Sequence, residues 1–404
     1  MTSTLHTLYT EVREELTLNI LPYWIKRMTD SRGGFYGRIN GQDEAIPEAD
    51  KGAILNARIL WTFSAAYRLF RREEYLQVAT RAKRVIINDF FDKEYGGIYW
   101  TLNCNATPID TKKQFYALGF AVYGLSEYHR ATGDEEALEY AIRLFNDIEA
   151  HSFDETGNGY REAATRDWQE IADMRLSEKD ANERKTMNTH LHILEPYTNL
   201  YRVWKDDRLR KQIHNLVRLF IHEIKHPDTH HLQLFFDDDW NSKHDIISYG
   251  HDIEASWLIH EAALELGDAA LLAEVETAIK DIAQAAAEGL TADGGMIYEK
   301  DLDRSHTDTD YHWWVQAETV VGYLNLYQHF GDESSLRKAL RCWEFIKSHL
   351  VDHVHGEWLW SVHADGTPNH EDDKAGFWKC PYHNGRMCME IIERYNLSDK
   401  PRAD

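Results

Sequence analysis

Apolar residues recur at three- and four-residue spacing in long stretches of this 404-residue chain, as amphipathic helices require. The stretches come in pairs: 53–70 with 73–91, 114–131 with 134–150, 187–204 with 207–226, 253–266 with 269–288, and 311–330 with 333–350. A last helix over 384–395 is left to pair with an N-terminal one over 5–28. Only 8 prolines fall in the chain, which favours helices that run uninterrupted. Between pairs a short signature repeats, a polar turn with two glycines and then an aromatic. It stands at Gly33-Gly34-Phe35-Tyr36, Gly96-Gly97-Ile98-Tyr99, Gly157-Asn158-Gly159-Tyr160, Gly294-Gly295-Met296-Ile297-Tyr298 and, more weakly, His355-Gly356-Glu357-Trp358. Taking positions 34, 97, 159, 295 and 356, the steps are 63, 62, 136 and 61. The long step is two periods, which puts an unmarked copy near 230–235, where His230-His231-Leu232-Gln233-Leu234-Phe235 alternates without glycines.

Six units of two helices predict an all-α fold, a closed (α/α)6 barrel of six inner and six outer helices with short β-hairpins over one mouth. The expected organisation is a single catalytic domain over 1–404. A straight helical solenoid is the rival, but it needs polar caps at both ends, and the terminal helices here are amphipathic. The first helix of each pair is the more apolar and carries small residues for close approach (Ala53, Ala57, Gly119, Ala121, Gly124, Gly322), so it is assigned to the inner ring. These helices nevertheless open on polar and aromatic groups. Asn56 and Arg58 stand in one and Tyr116 in the next, then Asn188, His190 and His192, His251 and Glu254, His312 to Trp314 with Glu318, and His383 with Asn384. Six such openings at one end line one pocket. The stretch 151–185 is longer than a hairpin needs, and with Glu178, Lys179, Asp180, Glu183 and Arg184 it reads as a flap over that mouth.

Composition narrows the partners. The formal net charge of −23 repels phosphate backbones and anionic membrane surfaces, so neither nucleic acid nor a membrane is an expected partner. Glu11, Glu14 and Glu15 interrupt the N-terminus, which therefore does not read as a signal peptide, and no run of about 18 apolar residues occurs. Cys104, Cys342, Cys380 and Cys388 form neither a disulfide framework nor a CxxC zinc pair, and a reducing cytoplasm is the default location. A monomer is expected.

His251 and Glu254 stand at i, i+3 on one helical face, where a carboxylate can orient an imidazole and tune it as a general base. The alternative, a surface ion pair, fits poorly with the apolar SYGHDIEASWL around it. Asn188 and His192 share a face at i, i+4, with His190 on another, so one histidine is expected in the pocket and the other in the packing. Arg58, alone in KGAILNARILW, needs a partner: Glu254, Glu318 or an oxyanion on a substrate. His383 follows Pro381 and Tyr382 at a helix start, and Trp313, Trp314 and Trp378 offer flat faces on which sugar rings stack or which simply fill the core. His222-Glu223-Ile224-Lys225-His226 fits the zinc-protease pattern HExxH, but Pro227 follows at once and frays the second histidine. Asp237-Asp238-Asp239 lacks calcium-loop spacing and reads as a solvated turn. No metal site is expected.

KGAILNARILW, KTMNTHLHILEPYTNLYR, SYGHDIEASWL, HWWVQAETVVGY and WKCPYHNGRMCMEII resemble, in matching order, the signature blocks of the cellobiose 2-epimerases of the N-acylglucosamine 2-epimerase superfamily, and the likeness runs from about Glu11 to Tyr395. It implies an (α/α)6 barrel that epimerises C2 of the reducing-end sugar of β-1,4-linked disaccharides without cofactor or metal. It implies His251 and His383 as the acid/base pair, with Glu254 partnering the first. It places Arg58, Tyr116, Asn188 and His192 on the reacting sugar, Trp314 and Trp378 as stacking groups, and Asp180 in a loop touching the outer sugar. The superfamily also holds mannose epimerases and aldose–ketose isomerases on the same core. The chemistry suits the residues: removing and returning a proton α to an aldehyde takes two acid/base groups and a cation for the enediolate. No glycine-rich dinucleotide fingerprint is visible. The competing expectations are a glycoside hydrolase, which needs two flanking carboxylates, and a sugar-binding protein without turnover.

Overall fold

A computed structural model describes residues 3–395; the expected span of 1–404 extends past these at both ends. Thirteen α-helices stand in these residues. The N-terminal helix α1 (Ser3–Glu14) runs through a π-helical turn, Glu15–Ile20, into α2 (Leu21–Arg27). Then follow α3 (Ala53–Phe70) and α4 (Glu73–Val85), α5 (Phe115–Thr132) and α6 (Glu135–His151), α7 (Met187–Val203) and α8 (Asp207–Leu219), α9 (Tyr249–Leu266) and α10 (Ala269–Ala286), α11 (Trp313–Phe330) and α12 (Glu333–Phe345), and α13 (His383–Arg394). Neighbouring contacts run α3–α5–α7–α9–α11–α13 and return from α13 to α3, which closes an inner ring of six. Each inner helix is backed by its own outer partner, α13 by α1. None of the helices among the described residues is long and apolar enough to cross a membrane.

The two burial patterns explain the two rings. In α3 every residue from Ala53 to Ala66 is buried, and in α11 every residue from Trp313 to Leu326. A helix apolar all round must be enclosed, whereas α4 buries one stripe, including Tyr75, Val78, Ala79, Ala82 and Val85, and faces solvent with the rest. The repeat appears as six equivalent antiparallel bridges: Thr29 with Phe35, Phe91 with Ile98, Phe153 with Tyr160, Lys225 with Leu232, Leu290 with Met296, and Val351 with Trp358. The unmarked fourth copy is thus present at 225–232, and His230, at φ 65°, supplies the left-handed residue that glycines supply elsewhere.

Short strands tie each unit to the next at the end where inner helices begin. Lys51–Gly52 pairs with Thr101–Leu102, Lys113–Gln114 with Ala163–Ala164, Lys185–Thr186 with Phe235–Phe236, Ile246–Ser248 with Glu299–Asp301, and Tyr311–His312 with Ser361–Val362. A bridge between Ile39 and Ala375 joins the first unit to the last. In three units a buried lysine before the inner helix also meets the aspartate after the bridge: Lys51 with Asp30, Lys113 with Asp92 and Lys185 with Asp154.

Two local departures have clear causes. Helix α9 starts at Tyr249 instead of 253, because Gly250 does not break it: a Cβ there would lie 2.7 Å from Trp314, so the glycine serves close packing. Helix α7 carries Pro196 in its interior, which leaves the carbonyl of His192 without an i+4 N–H. Gly119 of α5 passes that carbonyl so closely that a Cβ would stand 2.4 Å from the oxygen. Gly119→Ala is therefore expected to cost about 1–3 kcal/mol through forced separation of α5 and α7. A urea midpoint unchanged from the native protein would contradict this.

Candidate active site

The six inner helices begin at one mouth, and there the chain encloses a cavity of about 1310 Å³. Their N-terminal turns present the positive ends of the helix dipoles, so developing negative charge in the cavity is favoured. The ten residues expected to act on or bind substrate line it: Arg58, Tyr116, Asp180, Asn188, His192, His251, Glu254, Trp314, Trp378 and His383; of the other polar groups expected at the helix starts, Asn56, His190, Glu318 and Asn384 do not. The 174–183 segment of the long 151–185 connection covers part of the same space. Of the two α7 histidines, His192 lines the cavity. His190 is packing: its Nδ1 meets the Thr186 carbonyl at 2.7 Å and its Nε2 accepts the Tyr160 N–H at 2.8 Å.

Beneath the cavity lies an ionic group centred on Arg386 of α13. Its Nη2 donates to Glu254 and Glu318 at 2.7 Å each, and its Nη1 to Glu195 and the Tyr382 hydroxyl. His383 donates Nδ1–H to Glu318 Oε1 at 2.7 Å, which leaves its Nε2 lone pair unengaged. His192 donates Nδ1–H to Glu195 at 3.1 Å, and its Nε2 stands 4.0 Å from Glu254 Oε2. That Glu254 oxygen has no hydrogen-bond partner among the described residues, nor has the buried Oδ1 of Asn188. His251 Nδ1 pairs with the Ser248 hydroxyl at 2.8 Å.

One expectation about partners is corrected and another is narrowed. Glu254 does not orient His251: one helical turn apart, they point to different neighbours, Glu254 to Arg386 and His251 to Ser248. Arg58 pairs with neither Glu254 nor Glu318. Its guanidinium donates to the Tyr116 hydroxyl at 2.9 Å and the Trp378 carbonyl at 3.4 Å, and sits over Phe120 and Tyr382 at 4.2 and 4.8 Å. It has no carboxylate partner among the described residues, and its Nε is buried and unpaired. The carboxylates are taken by Arg386, which the sequence reading did not single out. The signal was present: Arg386 is three residues after His383 and Glu195 three after His192, the spacing that had marked Glu254.

Electrostatics follow from burial. Desolvation, with His192 nearby, pushes His251 down to about 3, although its ring faces the cavity. Burial and the guanidiniums of Arg58 and Arg386 hold His383 well below the usual imidazole range, and burial likewise lowers His192. Three carboxylates converge on one guanidinium, and burial together with Glu318 drives Glu254 well above the carboxylate range. Trp314 lies against both imidazoles, 4.7 Å from His251 and 5.7 Å from His383 between ring centroids.

Among the described residues, Glu254, Glu318 and His383 form the one group whose ligand atoms, within 4.8 Å of one another, have metal-binding spacing. Arg386 donates into both carboxylates and His383 Nδ1 is committed to Glu318, so a divalent ion would meet a guanidinium in its own coordination shell. The HExxH segment makes no site: the helix ends at Ile224, His222 faces Glu274 at 3.1 Å, and His226 Nδ1 accepts the N–H groups of Asp228 and Thr229. Asp237 caps its own turn, accepting from Asp239 and Asn241.

Residues 34–385 match the family model of N-acylglucosamine 2-epimerase (GlcNAc 2-epimerase). The cellobiose 2-epimerase of Bacteroides fragilis is 70% identical over 383 residues, covering 95% of this chain and 98% of that protein. The solved structure of cellobiose 2-epimerase from Bacillus thermoamylovorans superposes with a TM-score of 0.92 at 43% identity, over 96% of this chain and 100% of that one. A crystal structure of D-mannose isomerase shares the fold at a TM-score of 0.84 and 19% identity, over 95% and 97% of the two chains.

Proposed function

Because the chain belongs to the N-acylglucosamine 2-epimerase family and is a carbohydrate epimerase, an isomerase, we propose that it inverts C2 of the reducing-end sugar of β-1,4-linked disaccharides, converting cellobiose to glucosyl-mannose and accepting lactose as well. The observation that carries this is the pair of imidazoles, His251 and His383, both lowered by burial, on two different helices and both against Trp314. In the proposed course the sugar ring opens and one imidazole takes the C2 proton. The electron pair moves into the C1 carbonyl to give an enediolate, the other imidazole passes a proton drawn from solvent to the opposite face of C2, and the first releases the proton it took to solvent, so both end neutral. Nothing is oxidised or reduced overall, and the course calls for no metal or cofactor.

Each residue takes a role suited to its surroundings. His383 enters as a base through Nε2, because Glu318 holds its Nδ1–H. Arg58, uncommitted to any carboxylate, and Tyr116 face the developing oxyanion. Glu254, with a free Oε2, supports the acid/base pair beside His192. Asn188 and His192 bind hydroxyls of the reacting sugar, Trp314 and Trp378 stack on the two rings, and Asp180 reaches the outer sugar from the covering loop. The toroid serves as a single catalytic domain. Asp180, Glu299, Asp301, Asp308 and Asp372 on the outer wall favour a neutral sugar over an anionic one.

A hydrolase would need carboxylates on both sides of the glycosidic bond, about 5–9.5 Å apart. The interior carboxylates Glu254 and Glu318 instead have oxygens within 4.8 Å and share Arg386 on one side. The test is product analysis in D₂O with cellobiose, lactose and mannose offered separately. Glucosyl-mannose carrying deuterium at C2 is expected from cellobiose, with a trace of glucosyl-fructose from protonation at C1. Released glucose would mean hydrolysis, turnover of mannose alone would mean a monosaccharide epimerase or aldose–ketose isomerase, and protium fully retained at C2 would exclude the two-histidine course.

A further inference from the structure

Four of the six unit turns place glycine just before the bridged position, one places His231 there, and the last places Glu357. Its backbone has φ 60°, matching Gly34, Gly97 and Gly159 at 64°, 65° and 80°. A side-chain-bearing residue pays for that left-handed conformation, so its carboxylate needs a reason to be there. Glu357 is fully buried. Its Oε1 accepts from Lys379 Nζ at 2.7 Å, from Asn384 Nδ2 at 2.6 Å and from the Trp358 N–H at 2.9 Å. Its Oε2 accepts from the Trp24 indole, and its own N–H is held by Asn19 at 2.8 Å.

These partners bracket one short segment. Lys379 follows Trp378, and Asn384 follows His383. Between them run the Trp378 carbonyl and the Cys380 thiol that contact Arg58. Lys379 and Asn384 are themselves fully buried, and the Lys379 ammonium lies over the Trp313 ring at 5.3 Å. In three other units an aspartate after the bridge anchors a lysine two residues before the inner helix. In the last unit that aspartate, Asp352, is spent on Lys374, and Glu357 takes up the segment next to the helix. On the other side Glu357 reaches the helices α1–α2 across the seam where the ring closes.

We infer that Glu357 is a positioning residue for the epimerase site, holding Trp378 and His383 in register by gripping the chain directly behind each of them. This rests on the proposed function for its kinetic readout. It does not touch the cavity itself. A misplacement of about 1 Å in a reacting group is enough for about a 10²-fold loss, so the grip is visible in turnover.

The test uses the full chain and Glu357→Gly, since glycine already serves at this turn position in three units and relieves the backbone. At temperatures well below its unfolding, the variant is expected to lose at least about tenfold in kcat on cellobiose and to shift or broaden the downfield Nδ1 proton of His383, which is assigned by its loss in His383→Gln. Glu357→Gln sets an amide N–H against either Trp24 or Lys379 and is expected to lose less. Adding Trp24→Phe should restore it toward the Trp24→Phe protein, because the remaining oxygen can then serve Lys379 and Asn384. A merely structural glutamate would lower Tm and leave kcat and the proton in place. If both folded variants turn over within about threefold of the native enzyme with an unmoved His383 proton, the inference is overturned, and Glu357→Gln decides alone if Glu357→Gly does not fold. A native chain inactive on every sugar would count against the epimerase reading instead, and the His383 proton would still report on the grip.

Discussion

Replacing His383 or His251 with alanine lowers turnover by about 10²- to 10⁴-fold while leaving the helical ring intact. Each side chain lines the cavity, and alanine removes one side-chain hydrogen bond apiece, His383 to Glu318 and His251 to Ser248, so most of the loss falls on chemistry. In His383→Ala the Glu318 oxygen that held Nδ1–H keeps its bond to Arg386, which limits the structural cost. Both imidazoles are depressed below their ordinary range by burial, so both are neutral at pH 7 and turnover persists into mildly acidic solution. Stability has the opposite sensitivity. A histidine free to protonate at about 6.5 when unfolded, but not when folded, favours unfolding as pH falls below that value. For His251 the loss grows until its folded value of about 3 is reached. Circular dichroism and product assays on both variants check the prediction, and near-native turnover in either would refute it.

The second large effect is on stability. Arg386→Met is expected to destabilise the protein by about 3–5 kcal/mol at pH 8, because it removes the guanidinium shared by Glu195, Glu254 and Glu318. All three carboxylates are within 2% of complete burial, so water cannot replace the lost cation. Without it Glu195, which the guanidinium holds below the carboxylate range against burial, is pushed above its unfolded value, and Glu254, already raised by burial, rises further. The contribution of Glu195 and Glu254 is then fully present below the unfolded carboxylate range and lost as pH rises through the folded values. The deficit of the variant against the native protein should therefore shrink between pH 8 and pH 5. Urea unfolding at the two pH values measures it. A deficit under about 1 kcal/mol at pH 8, or one that grows on acidification, would show that the cluster is not held by charge.

These two results probe what could and could not be read without the structure. The six-unit ring was legible because its signals are local: period, burial stripe and turn chemistry recur every sixty-odd residues, down to the unmarked copy at 225–232. That polar groups at helix starts share one mouth also follows from counting turns along each helix, and the cavity draws lining residues from all six, though not Asn56, His190, Glu318 or Asn384. Partner choice does not follow. Spacing of i, i+3 puts Glu254 and His251 on one helix face, but five other helices converge on that face and compete for the carboxylate. Arg386, 132 residues away, wins it, and the same guanidinium reaches Glu195 across 191 residues. Arg58 is left facing the cavity for the same reason. The sequence alone determined which residues each helix brings to the mouth, since that depends on backbone periodicity. Only the closed ring decided which charges neutralise one another and which stay free, because in a buried cluster each ion's partner is set by distances across the barrel.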